Sequence, residues 1–236
     1  MNEIPTTRWS LVMRTTDDDP EVARRAVAGL CETYWYPVYL FYRRQRCAPD
    51  EARELTQELF LDLIEGNDFA RAEKSRGRFR DYLLGAARHR LANANRGDRR
   101  LARREASFAV DTATGEARFV AEPTTERTPE DAFRAAWARE VVARVLEGLA
   151  SEYATRGDLP FFHRLVGHLL PDRSEPAYAE LAAAFDKNVG AVKMAVKRLR
   201  ERFGMKLRDH VAAYTADEEI EGELRFLLAS LNEGAR

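Results

Sequence analysis

Large apolar residues recur along this chain at steps of three and four, and no alternating apolar–polar pattern of useful length appears. A half-buried strand must alternate because its side chains point to opposite faces, whereas a helix buries positions three or four apart. The chain is therefore expected to be all-α. Ala26, Leu30, Tyr34, Val38 and Phe41 follow the helical step through a block over about 20–46, with a bend expected at Pro37. Cys47-Ala48-Pro49-Asp50 reads as a turn, with Asp50 as the cap of a helix over about 51–65. That helix stacks Leu55, Leu59 and Leu63 on one side, while Glu51, Glu54, Glu58, Asp62 and Glu65 follow a helical period on another. A third helix, over about 78–104, carries Phe79, Leu83, Ala86, Ala87 and Leu91.

The periodicity collapses over 105–128. Asp111-Thr112-Ala113-Thr114-Gly115 and Glu122-Pro123-Thr124-Thr125 are polar and turn-rich, the composition of a flexible interdomain linker, with a short ordered patch around Phe119-Val120. Thr128-Pro129-Glu130-Asp131 then marks a helix start, threonine capping and proline in the first turn. Helices are expected over about 129–156, 160–170, 178–185 and 189–210, followed by an amphipathic stretch over 216–231 with Ile220, Leu224, Leu227, Leu228 and Leu231 on one face. A chain of 236 residues has room for two such cores. The expected division is a domain over 1–104, a linker over 105–128, a second domain over 129–210 and a C-terminal extension over 211–236.

A net charge of −1 conceals strong segregation. From Arg71 to Arg104 twelve Lys and Arg face only Glu73, Asp81 and Asp98, and from Lys187 to Arg208 eight face Glu201 alone. Asp50 to Asp68 carries seven acids against Arg53, and the chain from Asp209 onward carries seven against Arg225 and Arg236. Separate basic and acidic blocks suggest separate surfaces for polyanionic and basic partners; a solvated charged helix gives the same count without binding anything. No run approaches the roughly 18 apolar residues of a membrane span, and Met1 to Thr7 lacks the basic start and apolar stretch of a signal peptide, so a cytoplasmic protein is expected. Cys31 and Cys47 form no CxxC pair and read as free thiols. His163 and His168 lie five apart, off a common helical face, and no HExxH, cysteine cluster or glycine-rich phosphate loop is present. No metal, cofactor or catalytic residue is expected.

The most specific local pattern is Tyr178 to Phe185, then Asp186-Lys187-Asn188, then Val189 to Lys193. A short helix, a tight turn and a second helix capped by Asn188 would share a core of Leu181, Phe185, Val192, Val196 and Leu199, with Ala182 and Ala195 allowing close approach. This is a helix-turn-helix, whose second helix can enter the major groove. Lys193, Lys197 and Arg200 lie away from the core stripe, with Arg198 and Arg202 nearby. The alternative is a plain helical hairpin with a basic exposed face; the cap, the core spacing and the charge together favour the helix-turn-helix. The second basic block interleaves Arg71, Lys74, Arg76, Arg78 and Arg80 with Phe69, Phe79 and Tyr82, and continues through Arg88, His89, Asn93 and Arg96. Positive charge tracks phosphates and aromatic faces stack on unpaired bases, although Phe79 is better read as core.

Asp50-Glu51-Ala52-Arg53-Glu54-Leu55-Thr56-Gln57-Glu58-Leu59-Phe60 resembles the "DAEDLTQEVF" signature of sigma factor region two, and Gly77 to Leu84 resembles the "FRxWL" stretch that follows it. Tyr178 to Phe203 resembles region four. Both in this order, with only a short linker between, resemble RNA polymerase sigma factors of the extracytoplasmic-function type. The resemblance implies a region-two helical bundle over 1–104 and a region-four helix-turn-helix over 129–210. It implies that Glu54, Thr56, Gln57, Glu58 and Asp62 bind the clamp of the large subunit of core RNA polymerase. Arg78, Arg80, Tyr82, Arg88, His89, Asn93 and Arg96 would melt the upstream promoter element and hold the non-template strand. Asn188, Lys193, Lys197, Arg198 and Arg200 would read the distal element in duplex DNA. An anti-sigma factor or other regulatory protein is a further partner the resemblance allows. Asp186 stands where the family has glycine, and Lys187, where the family has an apolar residue, is expected to weaken hairpin packing. The alternative from the residues alone is a free-standing helix-turn-helix regulator with an N-terminal protein-interaction domain. The acidic C-terminal stretch is expected to cover apolar surface of region four, to compete with DNA for Lys193, Lys197 and Arg200, or to offer Leu224, Leu227 and Leu228 to a partner protein.

Overall fold

The computed structural model describes residues 15, 19–65, 78–95, 112–122, 127–169, 175–213, 215 and 217–234. Among these residues the chain is all-helical, with no strand. In order the helices are α1 Pro20–Arg44, α2 Pro49–Glu65, α3 Phe79–Asn95, α4 Thr112–Ala121, α5 Pro129–Ala154, α6 Leu159–Val166, α7 Glu175–Ala184, α8 Val189–Ala212 and α9 Asp217–Gly234. They fall into two compact units: Met1–Glu140 with Val211–Arg236, and Val141–His210.

Local chemistry sets the helix ends. Asp19 caps α1, its carboxylate accepting from the Glu21 N–H at 2.9 Å. At α5, Thr128 Oγ1 accepts from the Asp131 N–H at 3.2 Å and donates to Asp131 Oδ2 at 2.7 Å, with Pro129 in the first turn as expected. Asp50 does not cap α2, which begins one residue earlier at Pro49; Asp50 lies inside the first turn and pairs with Arg53 at 2.7 Å. Three helices end in the same double hydrogen bond, Cys47 N–H to Tyr42 with Arg46 to Arg43, Asp158 to Tyr153 with Gly157 to Ala154, and Lys187 to Ala182 with Asp186 to Ala183. Each places one residue in the left-handed region: Arg46 at φ 69°, Gly157 at 75° and Asp186 at 48°. Only one of the three is glycine.

In the first unit α1 packs against α2, α3 and α4. Leu30, Tyr34, Val38 and Phe41 of α1, Leu55, Leu59 and Leu63 of α2, and Phe79 and Leu83 of α3 are all buried, as the periodicity requires. Tyr34 meets Phe79 edge-on at 5.2 Å, so Phe79 belongs to the core. Helix α1 runs through Pro37 without interruption. Cys31 and Cys47 are free and buried, and burial pushes their thiols up to about 12 and about 11.

The linker expectation is corrected over 112–121. That segment is helix α4, docked on α1. Gly115 lies flat against Trp35, Glu116 takes Arg43 at 2.9 Å through each of its oxygens and the Tyr39 hydroxyl at 2.5 Å, and Arg43 stands 4.3 Å over the Phe119 ring. The segment's low apolar content misleads because its anchoring is done by a missing side chain and an ion pair. Residues 105–111 and 123–126 lie outside the described set.

Helix α9 belongs to the first unit, which corrects its expected place on the helix-turn-helix domain. Its inward face is also rotated from the one read in the sequence. Ile220, Glu223 and Leu227 are buried, whereas Leu224 is only half-buried and Leu228 is exposed; the side chain of Leu231 lies outside the described set.

Candidate nucleic-acid interface

The second unit holds the helix-turn-helix. Leu181 and Ala182 of α7 and Val192, Val196 and Leu199 of α8 are buried together, while Phe185 is half-buried against Phe161 at 5.0 Å. Asn188 caps α8, its Oδ1 accepting from the Ala191 N–H at 2.7 Å. Asp186 occupies the left-handed turn position without a glycine; its short polar side chain tolerates that region better than most. Lys187 is exposed rather than half-buried, and its ammonium sits 5.1 Å over the Phe161 ring, so it does not disturb the hairpin core.

On α8 the cations divide. Lys193, Lys197 and Arg198 are exposed, Lys197 with a 3.9 Å contact to Glu201 one turn on. Arg200 is half-buried and donates from Nε at 3.2 Å and Nη2 at 2.8 Å to the His168 carbonyl. Its guanidinium therefore ties the end of the α6 segment to α8, whereas the sequence placed it among the cations facing DNA. Further along, Glu152 takes Lys206 at 2.7 Å and Arg202; the Lys206 hydrogen bond, more than the other cations, holds its carboxyl below the ordinary value. The exposed Met194, beside Lys193 on the outer face, was passed over in the sequence; a large apolar residue facing solvent within a basic stretch was the available signal.

In the first unit the expected strand-holding residues do not form one open basic face. Arg80 is buried, its side chain 4% exposed, and Arg78 is about two-thirds covered at 31%. Arg80 Nε lies 2.9 Å from Glu223 Oε1, and Arg78 Nε lies 3.2 Å from both Glu219 Oε2 and Glu223 Oε1. The Arg80 guanidinium is flanked by the rings of Phe226 at 4.5 Å and Trp137 at 4.8 Å. In this structure Arg80 is therefore a buried ion-pair member and not an exposed side chain. Burial lowers its affinity for a proton and raises that of Glu223. Arg88 pairs with Glu130 at 2.9 Å, Tyr82 is half-buried near Phe79, and His89 is exposed with Nδ1 3.4 Å from the Asn93 amide. Phe69, Arg71, Lys74, Arg76 and Arg96 lie outside the described residues.

The acidic stripe on α2 is also partly engaged. Glu54 and Asp62 are exposed, Gln57 and Glu58 half-buried. Arg90 of α3 pairs with both Glu58, at 2.5 Å, and Asp62. Thr56 does not belong to the stripe. It is fully buried and its hydroxyl donates to the Ala52 carbonyl at 2.7 Å, so its role is to bond the helix to itself. The side chain of Glu65 lies outside the described set.

Among the described residues no cluster of metal-ligating side chains occurs, and no helix is long and apolar enough to cross a membrane. His163 is exposed and His168 is buried against the Tyr178 ring at 5.1 Å, so the two share no site. No family model, curated protein or solved structure matches the chain.

Proposed function

We propose that this chain is a bacterial transcription initiation factor of the extracytoplasmic-function sigma type, which recruits core RNA polymerase to promoters. The observation that carries the reading is the capped helix-turn-helix of 175–212, with Lys193, Lys197 and Arg198 turned to solvent on its second helix. A positively charged helix face of this width suits the major groove, where phosphate contacts set position and base edges set sequence. The resemblance of Asp50 to Phe60 to the region-two signature supports the polymerase partner, with Glu54 and Asp62 offering exposed carboxylates to a basic coiled-coil surface. The exposed His89, with the half-buried Asn93 beside it, offers a polar patch for an unpaired base.

One observation favours the second reading, a free-standing helix-turn-helix regulator: Arg90 already neutralises two of the stripe's acids. The readings separate on reconstitution with core polymerase. A sigma factor makes core enzyme start at a defined promoter, and a Glu54→Lys, Glu58→Lys double change abolishes that association while helicity is retained. Undiminished polymerase binding by the double variant, or promoter binding without any polymerase dependence, refutes the sigma reading.

A further inference from the structure

The contact between α9 and α3 is unusual for a helix that merely completes a core. Amphipathic helices bury aliphatic stripes, yet the inward stripe of α9 reads Ile220, Glu223, Leu227, with a glutamate at its centre that is 1% exposed. The partner beneath it is Arg80, and Arg78 lies alongside with Nη2 against Gly222, where a Cβ would come within 3.4 Å. The α9 segment thus brings a paired carboxylate and an aromatic ring, Phe226, to a guanidinium. An anionic group beside a flat ring is also what a single-stranded nucleic acid presents, as a phosphate beside a base.

The pair is not built as a permanent lock. Among the described residues, the buried Arg80 Nε and Nη1 and both Glu223 carboxylate oxygens have no aligned hydrogen bond, although the charges are in contact. A buried ion pair lacking aligned hydrogen bonds recovers little of its desolvation cost. Burial disfavours the charged form of each partner, so both charges are better solvated when α9 is away.

We propose that α9 is a built-in competitor for single-stranded nucleic acid at Arg78 and Arg80, and that binding of a strand there requires α9 to leave. The inference rests on the proposed function for the kind of ligand, and it names the regulation of that same surface. When only the open fraction of the chain can bind, apparent affinity falls by that fraction.

The test uses the full chain and a fluorescently labelled single-stranded DNA oligonucleotide of mixed sequence. Ile220→Ala with Leu227→Ala loosens α9 through its buried aliphatic side chains and leaves both arginines and the Phe226 ring in place. It should raise oligonucleotide affinity by about tenfold and steepen the salt dependence by roughly 1.4 log units per log unit, at about 0.7 for each of two added phosphate contacts on a single strand. Adding Arg78→Ala and Arg80→Ala to the loosened chain should remove the gain. If the loosened variant does not fold, the wild type carries the test: saturating oligonucleotide should speed amide exchange across 217–234 and leave 189–212 unaffected. Unchanged exchange of α9 in the saturated wild type overturns the proposal, as does a loosened variant with no gain or with a gain that survives loss of both arginines. Polymerase-dependent initiation is scored separately. An arginine-dependent gain without initiation sinks the sigma reading and keeps the competitor, whereas initiation with α9 unmoved does the reverse.

Discussion

Replacing Gly115 by alanine tests the docking of α4, because two opposing effects of known size meet there. In a helix interior alanine is favoured over glycine by about 1 kcal/mol. At Gly115, however, a Cβ would lie 2.8 Å from Trp35 Cζ3 and 2.9 Å from Cη2, well inside ordinary contact. The Trp35 ring has little room to retreat, being 4% exposed and stacked on Tyr39 with planes 7° apart and centroids at 5.2 Å. Overpacking of this kind costs about 1–3 kcal/mol, so Gly115→Ala should destabilise the first unit by up to about 2 kcal/mol net. Gly85 provides the matched control. It lies mid-helix in α3, and a Cβ there meets nothing within 4 Å, so Gly85→Ala should stabilise by up to about 1 kcal/mol. The difference between the two variants isolates the contact with Trp35. Trp9, Trp35 and Trp137 all precede Val141, so tryptophan fluorescence during urea unfolding reports on the first unit. If Gly115→Ala is as stabilising as Gly85→Ala, or if amides of 112–121 exchange at the rate of free chain, α4 is a linker and the packing argument is wrong.

Three further outcomes are expected. Asn188→Ala should cost the second unit about 1 kcal/mol, with the first-turn amides of α8 exchanging faster; an unchanged melt would mean the cap is idle. Lys197→Ala and Arg198→Ala should leave melting unaltered and each lower the salt slope of duplex DNA binding by about one, whereas Arg200→Ala should lower thermal stability by about 1–2 kcal/mol through the released His168 carbonyl. Equal effects of the three on the slope, with no loss of stability in any, would restore Arg200 to the DNA face. Burial, reinforced by Arg144, depresses the His210 imidazole to about 4. The unfolded chain then takes up the proton first, so stability is full above about pH 6.5 and falls by about 2 kcal/mol by pH 5; His210→Gln should flatten the melting curve between pH 7 and 5, and a wild-type melt already flat over that range would refute the burial of this ring.

Periodicity and capping decided by themselves that this chain is helical, much of the core of α1, α2, α3 and α8, and where most helices begin. Those features are local: a four-residue step, a threonine before a proline or an asparagine before Val189 acts within one turn of itself. Even the turn at Asp186 was legible, because the preference for the left-handed region belongs to the residue and its immediate neighbours. The fate of the charged residues was not local. Arginine reads alike in sequence whether its guanidinium ends in water, on a carbonyl or under a carboxylate, since its stem packs on apolar surface in every case. Arg78 and Arg88 belong to one basic block and the exposed Lys197 to the other, yet Arg88 meets Glu130 and Arg78 meets Glu219 and Glu223 from the far end of the chain. The same holds for α4, whose polar composition resembles a linker until Trp35 and Arg43 are brought against Gly115 and Glu116. Burying a charge requires its partner to arrive, and only the tertiary structure decides which partner does.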